Sequence, residues 1–371
     1  MSLRIAFLMP GIGVVERGAE VFVLELSRAL AGHGHEVTIF SRGPASDGRE
    51  RIRALARDTG WINRIYGATR MGRKVLDTAF LDPLNLEWST AALSALPRLW
   101  SGRFDLAVIE GGVVGGWAGK FLRRFRGLPF VDIAHGNSVK WETAFARARP
   151  DRVVTFTHAQ AETIGARVPR AAVTVIPHGV DLGAFETASE PRKLDLERPV
   201  ILCAGSVDRQ KRLDLAVEAV AGLEQGSLAV LGDGPEAVAV DRLAAERLGP
   251  GRYLRRRVSR SQMPEWYSAA DLFTLPSESE AFGLVYLEAA ACGLASVCPG
   301  DAVRREVLGD AAVFADVENQ PDYTRALEQA LEQDWGAGPR RRAERFPFSA
   351  TVEGYARLFD ELCKRSGPDP S

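Results

Sequence analysis

Two glutamates stand at the boundary between an apolar run that ends at Leu275 and a Leu- and Ala-rich run that begins near Gly283. Glu280 precedes the second run, and Glu288 lies about one and a half helical turns inside it, at about 3.6 residues per turn. The first N–H groups of a helix are unpaired and lie at the positive end of its dipole, so they suit a diphosphate. Carboxylates at these two places can accept hydrogen bonds from two separate sets of sugar hydroxyls. A helix N-terminal carboxylate and a solvated helix residue are the plainer interpretation of the same pattern.

A basic run, 205–212, directly follows the apolar run Val200–Ala204. It contains Arg209 and Lys211, which we expect to act as catalytic cations. A positive group placed where a leaving diphosphate gains charge lowers the barrier, and does so more strongly in a site that excludes water. The alternative is a solvated charge run at the start of a helix.

The N-terminal half offers a histidine and a glycine-spaced loop. His135 follows the apolar run Phe130–Ala134, and Gly136 lets the chain turn sharply after it. A histidine at the carboxyl end of a strand lies where open α/β sheets bind ligands. We expect His135 to hydrogen-bond a substrate hydroxyl or to stabilise developing charge, with a structural loop-capping role as the alternative. The loop 11–18 does not meet the G-x-G-x-x-G fingerprint, so we interpret it as a place where backbone can approach a phosphate.

Elements that could position these residues alternate along the whole chain. Apolar strand-like runs and helical patterns follow one another up to Val173–Ile176, and a second series starts at Val200–Ala204. This alternation predicts parallel sheets covered on both faces. The polar, Pro-containing segment Asp181–Pro199 reads as the connection between two domains. We therefore predict an N-terminal domain over 1–178, joined by a C-terminal helix over 348–365, and a C-terminal domain over 179–347.

Composition excludes several classes of function. The chain has 371 residues, 46% of them hydrophobic and 26% charged, with a formal net charge of −1. A globally basic nucleic-acid-binding protein is therefore not indicated, and the length favours two domains. The four cysteines form no C-x-x-C pair and read as buried, reduced thiols. No run reaches the roughly 20 apolar residues of a membrane span, and Leu3–Met9 is too short for a signal peptide, so we expect a cytoplasmic protein with at most peripheral membrane contact.

The E-x7-E pattern beside Phe282-Gly-Leu resembles the donor-binding signature of the retaining GT-B glycosyltransferases of family 4, also called glycosyl transferases group 1. Further matches occur in the family's order and span most of the chain. They are Gly18-Ala-Glu20, Gly34-His-Glu-Val37, Ile176-Pro-His-Gly-Val-Asp181, Gly232-Asp-Gly-Pro235 and Ala269-Ala-Asp271 through Pro276-Ser277. Each match is weak alone, but together they are specific. The resemblance implies an α/β fold of GT-B type, in which two doubly wound Rossmann-like domains face a central cleft.

The resemblance also implies roles for particular residues. Glu288 would bind the nucleotide ribose, and Glu280 would contact the donor sugar. Ser206 stands where the family usually has Arg, and Arg209 is the candidate to supply the missing guanidinium beside Lys211. Arg17 replaces the first Gly of the family's G-G-x-E and would contact phosphate or acceptor. The remaining donor-binding positions implied by the resemblance are Gly18, Gly205, Gly232, Val258, Phe282, Gly283 and Leu284.

The activity implied is transfer of a hexose-type sugar from a nucleotide-diphosphate donor to a hydroxyl of a glycan, lipid or small-molecule acceptor, with retention. Front-face substitution is favoured because no Asp or Glu stands out as a nucleophile. Such a mechanism needs no metal, so no metal or other cofactor is expected, and the lack of a D-x-D pair after an obvious strand agrees with this. Two departures from the family pattern, at 300–306 and 254–258, leave the nucleotide base open.

Other interpretations stay open. A nucleotide-sugar epimerase has the same architecture, and a catalytically silent nucleotide-sugar-binding partner would keep the cleft without turnover. Acceptor contacts are expected from the region 42–104. Basic clusters at Arg49–Arg57, Arg70–Lys74 and Arg123–Arg126 suit an anionic membrane surface or an acidic acceptor, although the general excess of Arg over Lys explains them as well.

Overall fold

The computed structural model describes residues 2–14, 18–46, 48–54, 82–110, 112–136, 139–186 and 192–365. The chain divides into two compact units. The first unit contains Met1–Ile176 and Val352–Ser371, and the second contains Pro177–Thr351. The predicted limits, 178/179 and 348, stand within a few residues of these boundaries.

The first unit is built on a seven-stranded sheet with the order β3-β2-β1-β4-β5-β6-β7, and the paired strands all run parallel. The central strands are buried on both faces because their sequences, such as Leu-Ala-Val-Ile in β4, are continuous apolar runs. The strands are β1 Arg4–Leu8, β2 Glu36–Ser41, β3 Arg49–Arg51, β4 Leu106–Ile109, β5 Phe130–Ile133, β6 Arg152–Thr155 and β7 Val173–Val175. The helices are α1 Gly18–Gly32, α2 Pro83–Ser101, α3 Val113–Arg126, α4 Val139–Ala146 and α5 His158–Arg167.

The second unit is built on a six-stranded parallel sheet with the order β10-β9-β8-β11-β12-β13. Its strands are β8 Val200–Ala204, β9 Ser227–Leu231, β10 Tyr253–Arg256, β11 Leu272–Thr274, β12 Ser296–Pro299 and β13 Ala312–Ala315. Its helices are α6 Leu213–Ala221, α7 Ala237–Arg247, α8 Met263–Ala269, α9 Leu284–Ala291, α10 Ala302–Leu308, α11 Gln320–Glu332 and α12 Gly338–Ala343. The last helix, α13 Phe348–Arg365, returns the chain to the first unit at Val352.

Each sheet contains one point where the strand order reverses. In the first unit it lies between β1 and β4, and in the second between β8 and β11. Loops that leave the carboxyl ends of such neighbouring strands diverge to opposite faces of the sheet, and the opening between them binds ligands in doubly wound folds. The predicted α/β class with two Rossmann-like domains is confirmed.

Two strands differ from the expected pattern because they are polar. The short strand β3 extends the sheet at its edge, where Arg49–Arg51 pairs with β2. Strand β10 forms the corresponding edge of the sheet in the second unit, and its Arg255 pairs with Asp241 of α7 at 2.7 Å. Edge strands bury less side-chain surface than central ones, so they need no continuous apolar run.

Within the described parts of the chain, no helix combines the length and apolar character needed to cross a bilayer. All four cysteines are free thiols, and Cys203, Cys292 and Cys298 are buried. Cys363 is only partly buried, which differs from the expected burial of all four thiols. Burial raises the pKa of the Cys292 thiol to about 12.

Candidate functional site

The strand-order reversal of the second unit brings together a lysine and a glutamate. Lys211 lies in the loop after β8, and Glu280 lies in the loop after β11. The Lys211 Nζ–Glu280 Oε1 distance is 2.6 Å, and the side chains are 17% and 11% exposed. The sequence analysis singled out both residues separately, and the topology of the sheet places them in contact.

The loop that carries Glu280 is held by three successive carbonyl groups. Tyr286 Oη donates to the Leu275 carbonyl at 2.5 Å, and Arg212 Nε donates to the Pro276 carbonyl at 2.8 Å. Arg304 Nη2 donates to the carbonyl of Ser277 at 2.6 Å. Hydrogen bonds from charged donors are stronger than neutral ones, so the loop backbone has little freedom.

Arg304 accounts for the departure from the family pattern at 300–306. Its side chain is 1% exposed, pairs with Asp301, and also donates to Ser277 Oγ at 2.7 Å. Burying a guanidinium is costly unless it is paired, and both terminal nitrogens of Arg304 have partners. The altered segment therefore holds the Glu280 loop at Ser277, a contact that no spacing in the sequence indicates.

Gly283 forms the N-cap of α9 with φ of 86°, and a Cβ there would lie 2.7 Å from the Tyr286 ring. Only glycine satisfies both conditions without strain. The neighbouring Phe282 side chain is buried, with ring centroids 5.4 Å from His178 and 5.8 Å from Phe346. Phe282 can therefore offer a ligand its backbone only, and Leu284 begins the helix directly after it.

Glu288 lies inside α9 and is 2% exposed, so the interpretation of Glu288 as a solvated helix residue is wrong. Its Oε1 lies 2.7 Å from Arg260 Nη1, and its Oε2 accepts a hydrogen bond from Tyr267 Oη at 3.1 Å. Burial raises the pKa of Tyr267, and the adjacent Glu288 carboxylate raises it further. Sequence reasoning missed both partners, because Arg260 and Tyr267 lie outside the family motifs.

The loops after β8 and β9 approach each other through glycine. A Cβ on Gly232 would lie 1.8 Å from the carbonyl oxygen of Gly205, which itself has φ of 137°. Gly232 therefore has a clear packing role, besides its expected role in donor binding. Ser206 Oγ donates to Asp208 Oδ2 at 2.5 Å within its own loop. Val258 follows the end of β10 and is partly buried.

Arg209 lies apart from the buried pair. Its side chain is 92% exposed, and its Nε lies 3.4 Å from Glu236 Oε1. The structure therefore places Arg209 at the rim of the same group of loops, with only a solvent-screened ion pair.

In the first unit, His135 pairs with a glutamate that the sequence analysis did not select. The His135 Nε2–Glu110 Oε1 distance is 2.9 Å, and Glu110 lies directly after β4, the neighbour of the strand that precedes His135. The imidazole packs against Phe22 and Phe156, with centroid distances of 5.3 and 5.2 Å. Burial raises the pKa of Glu110, while the contact with His135 opposes that shift.

A second acidic side chain holds the turn after His135. Glu142 of α4 accepts a hydrogen bond from the Gly136 N–H at 2.7 Å, which supports the predicted turn at that glycine. Burial raises the pKa of Glu142 to about 8. Asp132 of β5 is 2% exposed, and its pKa is raised by burial and by Glu142.

The remaining predicted positions of the first unit are less informative. Gly18 is the first residue of α1, and a Cβ there would meet no atom within 4 Å. Arg17 lies outside the described residues. So does 55–81, which is part of the expected acceptor region and contains the basic cluster Arg70–Lys74. Among the described side chains, no group of three His, Cys, Asp or Glu residues could hold a metal ion. The expected independence from metal stays a prediction.

Two Rossmann-like domains, with the Lys211–Glu280 pair where the strand order of the second sheet reverses, match the predicted GT-B architecture, which glycosyltransferases share with nucleotide-sugar epimerases. Known families give the more specific assignment. Residues 184–346 match the family described as Glycosyl transferases group 1, and residues 17–184 match Glycosyltransferase Family 4. The chain belongs to glycosyltransferase family 4.

Similar proteins cover nearly the whole chain. A D-inositol 3-phosphate glycosyltransferase of Salinispora arenicola is 30% identical, over 98% of this chain and 91% of the relative. A GDP-mannose-dependent alpha-(1-6)-phosphatidylinositol monomannoside mannosyltransferase of Mycolicibacterium smegmatis is 28% identical, over 90% of this chain and 88% of the relative.

Solved structures agree on the fold. Sucrose-phosphate synthase from Thermosynechococcus elongatus superposes with a TM-score of 0.80 at 20% identity, covering 98% of this chain and all (100%) of the other. Anabaena HepE in complex with UDP and glucose gives a TM-score of 0.71 at 15% identity, covering 97% of this chain and 100% of the other.

Proposed function

We propose that this glycosyltransferase moves a hexose-type sugar from a nucleotide diphosphate to an acceptor hydroxyl and retains the anomeric configuration. The observation that carries the proposal is the Lys211–Glu280 pair at the point where the strand order reverses. One member of the pair suits phosphate oxygens and the other suits sugar hydroxyls. Both side chains are largely removed from solvent, where their interactions with a ligand are strongest.

The pair gives each group a partner that a substrate can replace. Burying a lone ammonium or carboxylate is costly, but a pair with good geometry offsets much of that cost. When a diphosphate approaches Lys211, its oxygens can take over the role of the Glu280 carboxylate. Glu280 is then available to accept hydrogen bonds from the sugar, and the N–H groups at Gly283 and Leu284, at the positive end of the helix dipole, are proposed to face the diphosphate.

The chemical step we propose is front-face substitution. The bond between the anomeric carbon and the phosphate oxygen breaks, and the acceptor oxygen bonds to the same face of that carbon. The acceptor proton passes to the departing phosphate oxygen, so the protein need supply neither a nucleophile nor a separate base. Lys211 contributes by stabilising the charge that develops on the leaving group.

Glu288 is proposed to bind the ribose. Its Oε2 accepts a hydrogen bond from Tyr267 Oη and its Oε1 is ion-paired with Arg260, and a carboxylate can accept several hydrogen bonds at once. Arg260 is 40% exposed at its side chain, so it can move aside or bridge to the ligand. Tyr267 is fully buried in α8 and fixes the carboxylate from the protein side.

In the N-terminal domain we assign the contact with the reacting sugar to His135. Its Nε2 lies 2.9 Å from Glu110 Oε1, and the imidazole is proposed to hydrogen-bond a substrate hydroxyl. Glu110 thus fixes the orientation of the ring. The names of similar proteins suggest which donors and acceptors to test first. These are GDP-mannose and inositol phosphates, together with the UDP-sugars suggested by HepE.

A donor screen followed by product analysis tests the proposal. The shift in Tm should be largest for one of the UDP-, GDP- or ADP-sugars. Incubation with that donor and an acceptor should then yield a product whose glycosidic bond has the same anomeric configuration as the donor, measured from NMR coupling constants. An inverted linkage would refute the retaining mechanism. Interconversion of the sugar nucleotide without acceptor would identify an epimerase, and binding without turnover would identify a silent partner.

A further inference from the structure

Helix α3, Val113–Arg126, reverses the usual arrangement of small and large side chains. Its buried face consists mainly of glycine and alanine: Gly115, Gly116, Ala118 and Gly119, followed by Leu122. A Cβ on Gly116 would lie 2.8 Å from Ala148, and one on Gly119 would lie 2.4 Å from the Phe130 ring. The helix therefore lies so close to the sheet that large inward-facing residues are excluded.

The large apolar residues of α3 point outward instead. Trp117, Phe121 and Phe125 are 57%, 42% and 63% exposed, and their spacing of four residues places them along one side of the helix. The neighbouring Trp100 of α2 is 40% exposed and lies 5.4 Å from Phe121 between ring centroids. Four aromatic side chains thus form one exposed surface, here called the aromatic face.

Basic residues border the aromatic face. Lys120, Arg124 and Arg126 are exposed, and α3 contains no acidic residue. Lys120 Nζ lies 4.5 Å from the Trp117 ring centroid, and the Arg126 guanidinium lies 5.9 Å from that of Trp100. These cation–π contacts hold the positive charges beside the aromatic rings. Arg123 differs, since it pairs with Asp151 at 3.3 Å.

We propose that the aromatic face docks the N-terminal domain onto an anionic lipid bilayer. Trp is enriched at membrane–water interfaces, and a helix with aromatic residues beside Lys and Arg binds in the headgroup layer. Each basic residue near an anionic surface strengthens binding by roughly fivefold. A protein partner is a poorer match, because an apolar interface core is depleted in Lys, whereas the acyl boundary accepts rings and the headgroups accept the neighbouring cations.

Vesicle binding tests the proposal without any donor or acceptor, so its outcome is independent of the proposed function. The intact chain should sediment with vesicles of phosphatidylglycerol and phosphatidylcholine at least tenfold more strongly than with phosphatidylcholine alone. Trp117→Ser combined with Phe121→Ser and Phe125→Ser should reduce binding more than tenfold at unchanged Tm. The matched control is Val238→Ser, since Val238 is 71% exposed but lies on α7 of the other domain.

The charges have their own control. Lys120→Glu with Arg124→Glu should abolish the preference for phosphatidylglycerol, whereas Arg325→Glu, at a side chain 70% exposed in α11, should leave it unchanged. Equal binding by the triple serine variant and the intact chain would overturn the proposal. So would self-association that disappears in the triple variant, since it would assign the aromatic face to a second copy of the chain.

Discussion

Replacing Lys211 by Met tests whether this lysine stabilises the leaving diphosphate. The Lys211 ammonium lies 2.6 Å from Glu280 and is 17% exposed, so it can meet phosphate oxygens in a poorly solvated place. A hydrogen bond to a charged group contributes about 1.5–3 kcal/mol. At about 1.4 kcal/mol per tenfold change, Lys211→Met should lower kcat/KM by roughly 10- to 150-fold.

Arg209→Met is the matched control for the loss of a positive charge in the same loop. Arg209 is 92% exposed and paired with Glu236 at 3.4 Å, and interactions of exposed charges are small. We expect kcat/KM to change by less than about threefold. For Lys211→Met, steady-state kinetics with the identified donor should show the lower kcat/KM, and calorimetric titration should show weaker binding of its nucleoside diphosphate.

A larger effect of Arg209→Met than of Lys211→Met would refute this assignment and make Arg209 the main catalytic cation. A lower Tm for Lys211→Met with unchanged kcat/KM would reduce the Lys211–Glu280 pair to a structural contact. The double variant Lys211→Met with Glu280→Gln separates these effects further, because it removes the buried charge that the single substitution leaves without a partner.

Three further predictions concern Glu288, Gly232 and Glu142. Glu288→Gln should weaken donor binding by about 1.5–3 kcal/mol in calorimetry; unchanged affinity would remove Glu288 from the ribose site. Gly232→Ala should lower the free energy of unfolding by at least about 1–3 kcal/mol, because its Cβ would meet the Gly205 carbonyl at 1.8 Å; Gly165→Ala, with no atom within 4 Å of its Cβ, is the control and should be neutral or stabilising in urea titrations. The pKa of Glu142 is raised from 4.5 to about 8, so between these pH values the folded chain keeps a proton that the unfolded chain loses, and the free energy of unfolding should fall as pH rises from about 4.5 to 8. Glu142→Gln should flatten that decline, by at most about 5 kcal/mol. An unchanged dependence of the free energy of unfolding on pH, measured by chemical denaturation, would contradict the shift.

Much of the fold could be predicted from local pattern. Strand β8 has the predicted limits, Val200–Ala204, and β5 lies within the predicted run Phe130–Ala134, because both strands are buried and read as continuous apolar runs. The start of α9 near Gly283 was also predicted from local sequence, because a polar loop and a glycine precede the Leu- and Ala-rich run. Strands β3 and β10 carry charged side chains at sheet edges, where the apolar signal is weak.

The partners of the site residues were not predictable from one sequence. Arg260 reaches Glu288 across 28 positions, and Arg304 reaches Ser277 across 27. Such contacts depend on which strands are neighbours, and neighbouring order is a property of the whole sheet. Glu110 could have been found by one additional step, because a polar residue directly after a buried strand should lie beside the polar residue that follows the next strand.

The same arrangement occurs in both domains. In each sheet, residues after two adjacent strands form one pair between a nitrogen base or cation and a carboxylate: Lys211 with Glu280, and His135 with Glu110. The Lys211–Glu280 pair costs less to bury than either charge alone, and each of its members can exchange its partner for a substrate group of the same sign. The strand order of the Rossmann-like sheet thus determines which strand-end residues contact each other, as well as where each one lies. Substitutions that change the strand-end loops should therefore alter the orientation of both members together, and we expect the effects of Glu110→Gln and His135→Asn on kcat to be strongly non-additive.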